Sequence, residues 1–260
     1  MLKHKKKEID ILIIANERLS EKFTVYYRNP TNLVINNHIM SIENLKSYFE
    51  NNKSIPIQQT KRKMSTHNDY LNNRLNGIYL YDYCKKRELE CVLINCISDE
   101  NYSDFSNIMN SHPKCIAIST TYMLNIRQVK KVTSLIRQFD KDVPIVVGGI
   151  LVYNSYRLYN LKDDPNYDTE SAKPDYFFIN KDPKYFDDIN FFVIEKQGEQ
   201  TLVQLVTAIK EKKNTDSINN LAFYRKGNLY FTEKKAENNL FHENIISWDK
   251  LDEELLPRMP

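Results

Sequence analysis

The chain has 260 residues, 37 basic and 34 acidic side chains for a net charge of +3, and four cysteines. That length suits one large domain or a domain with appendages, and the near balance of charge excludes a surface built to hold nucleic acid or membrane by a global field. Stretches such as ILII and CIAIS fall far short of the ~20 apolar residues that span a bilayer, and MLKHKKKEID lacks the apolar half of a signal peptide. The chain therefore reads as cytoplasmic, with no membrane and no specific nucleic-acid partner.

Residues 1–8 form a basic tail around Lys5, Lys6 and Lys7. The first predicted strand, IDILIIA at 9–15, is a continuous apolar run suited to a sheet covered on both faces. Residues 16–67 are polar and irregular, except that Ser41 can cap a short helix carrying Ile42, Leu45, Tyr48 and Phe49 on one face. A loop of this length is unusual inside a compact domain and is expected to be functional or partly disordered.

Alternation then becomes regular. A helix is predicted over 68–87, a strand at 90–95, a helix over 102–110 and a third strand, KCIAIST, at 114–120. The helix over 125–139 follows, its stripe formed by Ile126, Val129, Val132, Leu135, Ile136 and Phe139, with Asn125 and Gln128 at capping-box spacing. The fourth strand, PIVVGG, completes a β-α-β-α-β series and hence a parallel sheet.

From Tyr153 to Asp188 the pattern loosens. A last apolar strand at 190–195 and a helix over 199–212 come next, then two alternating strands around Lys226, Gly227 and Asn228 that read as a β-hairpin, and an acidic tail, WDKLDEELLPRMP. The fold predicted is α/β, a doubly wound Rossmann-like or flavodoxin-like sheet of five parallel strands with helices on both faces. Its α/β domain runs over 9–213 with an insertion at 16–67, and a C-terminal hairpin and linker occupy 214–260.

Strand ends decide which ligand such a sheet holds, because open α/β sheets bind at the carboxyl edge of their strands. The turn after the first strand, ANERLS, has no glycine, which excludes a dinucleotide fold. The third strand ends in Ser119, Thr120 and Thr121 instead of the aspartate that a phospho-acceptor domain needs. Gly148 and Gly149 close the fourth strand, and Gly198 and Glu199 follow the fifth, so unusual residues stand after three successive strands. Hydroxyls and small side chains there suit a large ligand with a nucleotide-like tail. The plainer readings are turn chemistry for the hydroxyls and glycines, and a macrodipole partner for Glu199 in the first turn of its helix. Cys84, Cys91, Cys96 and Cys115 show no metal-ligand spacing and read as reduced structural residues; no metal ligand is predicted.

The ordered segments CIAISTTYMLNIRQVKKVTSLIRQFDKDVPIVVGGILV, FFVIEKQGEQTLVQLVTAIK and INNLAFYRKGNLYFTE resemble the N-terminal region of cobalamin-dependent radical S-adenosylmethionine enzymes. The resemblance covers residues 68–260 and leaves 16–67 without a counterpart. It implies a cobalamin-binding accessory domain that positions the corrinoid for a radical catalytic domain acting on an unspecified substrate, by methyl transfer or related radical chemistry. The cofactor-binding positions it implies are Asn16 and Glu17; Ser119, Thr120, Thr121 and Tyr122; Gly148, Gly149 and Ile150; and Gly198 and Glu199. It implies no catalytic residue in this chain.

Two departures qualify what is implied. The loop NERLSE lacks the histidine that methionine-synthase-type cobalamin domains place under cobalt, so cobalamin is expected base-off with no protein histidine from that loop. The family's C-x-x-x-C-x-x-C does not occur in these residues, so a [4Fe-4S] cluster and S-adenosylmethionine are expected only in the catalytic domain, on the same gene product or on a separate chain. The alternative from another class is an interaction or substrate-recognition module that keeps the fold without a corrinoid. A stand-alone methyltransferase would need a glycine-rich turn that the chain lacks.

Overall fold

The computed structural model describes residues 8–16, 75–95, 97, 102–123, 125–167, 169–170, 172–180, 182–239 and 244–251, and the backbone of 30–35 and 38–41. The chain divides into two compact units, Met1–Glu17 with Tyr70–Pro260, and Arg18–Asp69. The larger unit begins with β1 (Ile11–Ile14), whose four residues are completely buried. The smaller unit, taken by itself, holds an antiparallel pair, β2 (Pro30–Ile35) and β3 (His38–Ser41), with Val34 opposite Ile39. This corrects the expectation of irregular chain there. Ser41 ends β3 instead of opening a helix, and the helix predicted after it lies outside the described residues.

The larger unit continues with α1 (Leu75–Lys85), β4 (Cys91–Ile94), α2 (Tyr102–Met109), β5 (Ile116–Ser119), α3 (Ile126–Phe139), β6 (Ile145–Gly148) and α4 (Ile150–Asn160). It ends in β7 (Phe191–Val193), α5 (Glu199–Lys210), β8 (Leu221–Arg225) and β9 (Asn228–Phe231). The strand order is β4-β1-β5-β6-β7-β8-β9, parallel from β4 to β7 and antiparallel at β8 and β9. The sheet is thus mixed and seven-stranded, where five strands and a separate hairpin were expected. β7 would otherwise present an unpaired edge. The hairpin covers it, with Ala222 opposite Phe192 and Leu221 opposite Val193, both fully buried. Its turn, Lys226–Gly227, has positive φ at both residues (52° and 77°), the geometry that matches the twist of paired strands.

Pleating sends alternate residues to opposite faces. Leu12, Ile14, Ile116, Ile118, Ile145 and Val147 meet α2, α3 and α4 through Phe105, Ile126, Val129, Ile136, Leu151 and Val152. On the other face Ile11, Ile13, Ala117, Val146 and Val193 meet α1 and α5 through Ile78, Tyr81, Leu202, Leu205 and Val206. The second face carries the smaller strand residues, and that asymmetry makes room for the cleft described below.

The capping box of α3 forms as its spacing predicts. Arg127 N and Gln128 N donate to Asn125 Oδ1 at 3.1 and 3.2 Å, and Asn125 N donates to Gln128 Oε1 at 3.3 Å. Asn125→Ala is expected to cost about 1 kcal/mol, read as a lower urea midpoint with unchanged slope. By contrast α4 occupies a region where the sequence pattern loosens. Its buried face is Leu151, Val152 and Ser155, and Tyr156 and Tyr159 pack on Phe231 with ring centroids 5.4 and 5.0 Å away. Ser155 Oγ donates to Leu151 O at 2.7 Å and accepts from Phe177 N at 3.1 Å, tying the helix to the chain that follows.

Cys84, Cys91 and Cys115 are buried and free, and burial pushes the Cys115 thiol up to about 12. Such thiols are packing elements and poor nucleophiles. Cys96 lies outside the described residues. No helix among the described residues is long and apolar enough to cross a membrane.

Candidate functional site

A cleft of about 130 Å³ opens at the carboxyl edge of β5, β6 and β7, on the face covered by α1 and α5. Its floor is Ala117, Ser119, Val146 and Gly148, the small residues that alternate along β5 and β6 with Ile116, Ile118, Ile145 and Val147 on the opposite face. Asn76, Tyr79 and Leu80 of α1 form one wall; Gly198, Glu199 and Leu202 form the other. At about 30 Å³ per liquid water, the volume of about 130 Å³ holds about four waters. A ring-sized group fits.

Asn76 sits where the strand order reverses, between the ends of β1 and β5, the position at which open α/β sheets form their crevice. Its Nδ2 donates to Ala15 O at 3.3 Å and to Ser119 Oγ at 3.0 Å, bridging the two strand ends. Its Oδ1 is buried and has no hydrogen-bond partner. A buried acceptor left unmade carries a penalty of about 1–3 kcal/mol, so this atom favours any donor that reaches it. Ser119 Oγ also shares a hydrogen bond of 3.1 Å with Thr121 Oγ1, which places two hydroxyls at the mouth.

Thr120 has a different role. It is completely buried, its hydroxyl donates to Gly148 O at 2.8 Å, and it accepts from Leu151 N at 3.2 Å, so it fastens the β5 loop to the start of α4. Gly149 is the other half of that joint. Its φ is +101°, and a Cβ there would lie 3.0 Å from Thr120 Oγ1 and 3.1 Å from Thr120 N. Backbone conformation and close approach both demand glycine at 149. Gly148 differs: its Cβ would meet Val193 Cβ at 3.4 Å, an ordinary contact, and the residue faces the cleft. At Gly198 a Cβ would lie 2.2 Å from Val193 Cγ1, so α5 starts directly against the end of β7.

The N-terminus of α5 has no side-chain cap of its own at Gly198. Glu237, from the segment after the hairpin, fills that place. It accepts from Gln200 N at 2.8 Å, from Thr201 N at 2.9 Å and from the Thr201 hydroxyl. The macrodipole partner expected at Glu199 is therefore supplied from a distance. Glu199 turns to the cleft wall, where Oε2 accepts from Asn239 Nδ2 at 2.6 Å. Asn239 Nδ2 also lies 2.9 Å from Glu237 Oε2, and Asn239 Oδ1 accepts from Tyr83 OH at 3.1 Å. Burial raises the Glu199 carboxyl to about 7, with the charges of Glu237 and Glu195 adding to it and bonds from its own backbone and Asn239 opposing.

Of the positions singled out in the sequence, Ser119, Thr121, Gly148, Gly149, Gly198 and Glu199 come together around the cleft. Thr120 lies buried behind it. Tyr122 and Ile150 are exposed beside lining residues in sequence, Asn16 is buried just past β1, and Glu17 lies outside the described residues. Asn76, Tyr79, Leu80, Lys196 and Leu202 also line it without having been singled out. Among the described residues no cluster of three His, Cys, Asp or Glu side chains could hold a metal ion. His112, the histidine whose side chain is described, precedes β5 and so lies at the far end of that strand from Ser119.

No protein-family model matches the chain, and no curated protein matches it. Among solved structures it is similar to the radical S-adenosylmethionine methyltransferase TsrM from Kitasatospora setae. With cobalamin and a [4Fe-4S] cluster bound to TsrM, the match covers 88% of this chain and 29% of that one, at 11% identity and a TM-score of 0.44. With tryptophan substrate and the analogue aza-SAM bound, it covers 60% and 27%, at 15% identity and a TM-score of 0.38. The chain is also similar to the cobalamin-dependent S-adenosylmethionine radical enzyme OxsB with aqua-cobalamin and S-adenosylmethionine bound, over 91% of this chain and 24% of that one, at 14% identity and a TM-score of 0.46. This chain spans about a quarter of the length of those structures.

Proposed function

We propose that this chain is a corrinoid-binding α/β module that holds cobalamin for a radical S-adenosylmethionine catalytic domain, with the cleft beside β5 and β6 receiving one arm of the cofactor. The observation that carries this reading is the cleft itself. Small residues on one face of two adjacent strands leave an apolar slot at the sheet's carboxyl edge, with hydroxyls at its mouth and an unpaired buried acceptor, Asn76 Oδ1, in its wall. A ring with polar substituents suits such a slot, whereas a compact anion does not, because Glu237 already occupies the donors of the α5 N-terminus.

In this reading Ser119, Thr121 and Asn76 hydrogen-bond the entering arm, Gly148 leaves it space, and Thr120 and Gly149 set the loop that supports them. Tyr122 and Ile150 offer exposed surface to whatever part of the ligand stays outside, and Asn16 and Glu17 belong to the loop after β1. Bound cobalamin would supply a methyl group or a redox equivalent, while the protein supplies position and burial. The catalytic groups, the [4Fe-4S] cluster and S-adenosylmethionine belong to the catalytic domain, with the substrate.

Hydroxocobalamin titrated into the purified protein at tens of micromolar is expected to give a base-off spectrum without imidazole on cobalt. Failure to retain corrinoid through gel filtration would replace this reading with that of an interaction module. A histidine-ligated spectrum would overturn the assignment of the loop after β1.

A further inference from the structure

We propose that Glu199 couples occupancy of the cleft to one proton, so that an uncharged ligand group is bound with the Glu199 carboxyl in its neutral form. This inference rests on the corrinoid reading and adds a residue that tunes binding. Glu199 stands in the wall of a largely apolar slot, beside Leu202 and across from Tyr79 and Leu80 of α1. Its Oε2 shares the Asn239 amide nitrogen with Glu237 Oε2 and Gln197 O, so two carboxyl groups and a carbonyl meet two N–H donors.

The charged and titratable groups around it are mostly committed elsewhere. From α1 come the phenols of Tyr79 and Tyr83, with Asp82 beside Lys86 and Arg87 stacked on the Tyr83 ring. Glu195 is paired with Lys234, and Glu237 caps α5. Lys196 is the cation of the lining, and it is exposed to solvent. An ionised Glu199 therefore has the Asn239 amide and its own backbone N–H as protein donors, and water at the cleft mouth supplies the rest of its solvation. An uncharged group that fills the slot removes that water, and a carboxylate whose lining cation, Lys196, stays in solvent is then more expensive to bury than a carboxylic acid. Binding thus takes up a proton wherever the free protein has lost it.

The experiment is equilibrium dialysis of cyanocobalamin against the wild-type chain and Glu199→Gln across the neutral range. Wild-type affinity is expected to weaken about tenfold from about pH 6 to about pH 8, as one linked proton requires. Glu199→Gln, neutral at every pH, is expected to bind with a flat profile close to the wild type's acid limit. A flat wild-type profile, or an unchanged slope in Glu199→Gln, overturns the coupling and leaves the corrinoid reading standing. No binding at any pH overturns the corrinoid reading itself. Because the wild-type profile is decisive alone, a variant that folds poorly does not rescue the proposal.

Discussion

Gly149→Val is expected to lower stability by about 3 kcal/mol, because a β-branched side chain at φ +101° combines backbone strain with a collision against Thr120. In a domain of this size that corresponds to a melting temperature lower by on the order of 10 °C. The loss belongs to folding. The added Cβ meets Thr120 and Thr121 backbone, so cobalamin affinity per folded molecule is expected to stay within about threefold of wild type. Thermal melts and binding measured on the same sample separate the effects. Normal melting with lost binding would mean that residue 149 faces ligand and not the β5 loop.

Glu199→Gln is expected to flatten the pH dependence of stability between about pH 5 and pH 8. The folded-state carboxyl at about 7 stands above its ordinary value of 4.5, so the native state holds this proton more tightly than the unfolded chain. The resulting stabilisation is complete below about pH 4.5 and disappears as pH rises through about 7, a change on the order of 3 kcal/mol. Asp10 titrates with the opposite sign. Burial alone would raise it, but bonds from Lys210, Glu90 N–H and Lys114 bring it below the usual carboxylate range, so its contribution is lost only as pH falls into the acid region. The two windows do not overlap. Melting curves of wild type and variant should lie together towards pH 5 and diverge at neutral to basic pH, where the variant is the more stable; parallel curves would contradict the raised Glu199.

The strands and α3 were readable from sequence because their signals are local. Continuous β-branched runs predict buried parallel strands within two residues of their observed ends, and α3 declares itself by one apolar stripe and a capping box. In β5, Ala117 and Ser119 alternate with Ile116 and Ile118, and this alternation, not drawn from the sequence, shapes the cleft floor. What was hidden depends on contacts between distant residues. Asn76 reaches Ser119 from 43 positions away, and Glu237 caps α5 from 36 positions beyond Thr201. Nothing in a local window links such pairs. The hairpin was legible as a hairpin but not as the continuation of the main sheet, since its partner β7 lies across α5 in the chain. In α4 the tyrosines at 153, 156 and 159 distribute apolar surface around the helix and blur the period that Leu151, Val152 and Ser155 define.

Gly148→Leu tests the cleft as a cofactor site most directly. The Cβ at 148 is accommodated against Val193, and the rest of the side chain has the cleft to enter, so stability should change by no more than about 1 kcal/mol. Hydroxocobalamin affinity should fall by about a hundredfold, about 3 kcal/mol. Near-normal melting with that loss is the predicted result; near-normal melting with wild-type affinity would contradict the assignment of this cleft to the corrinoid.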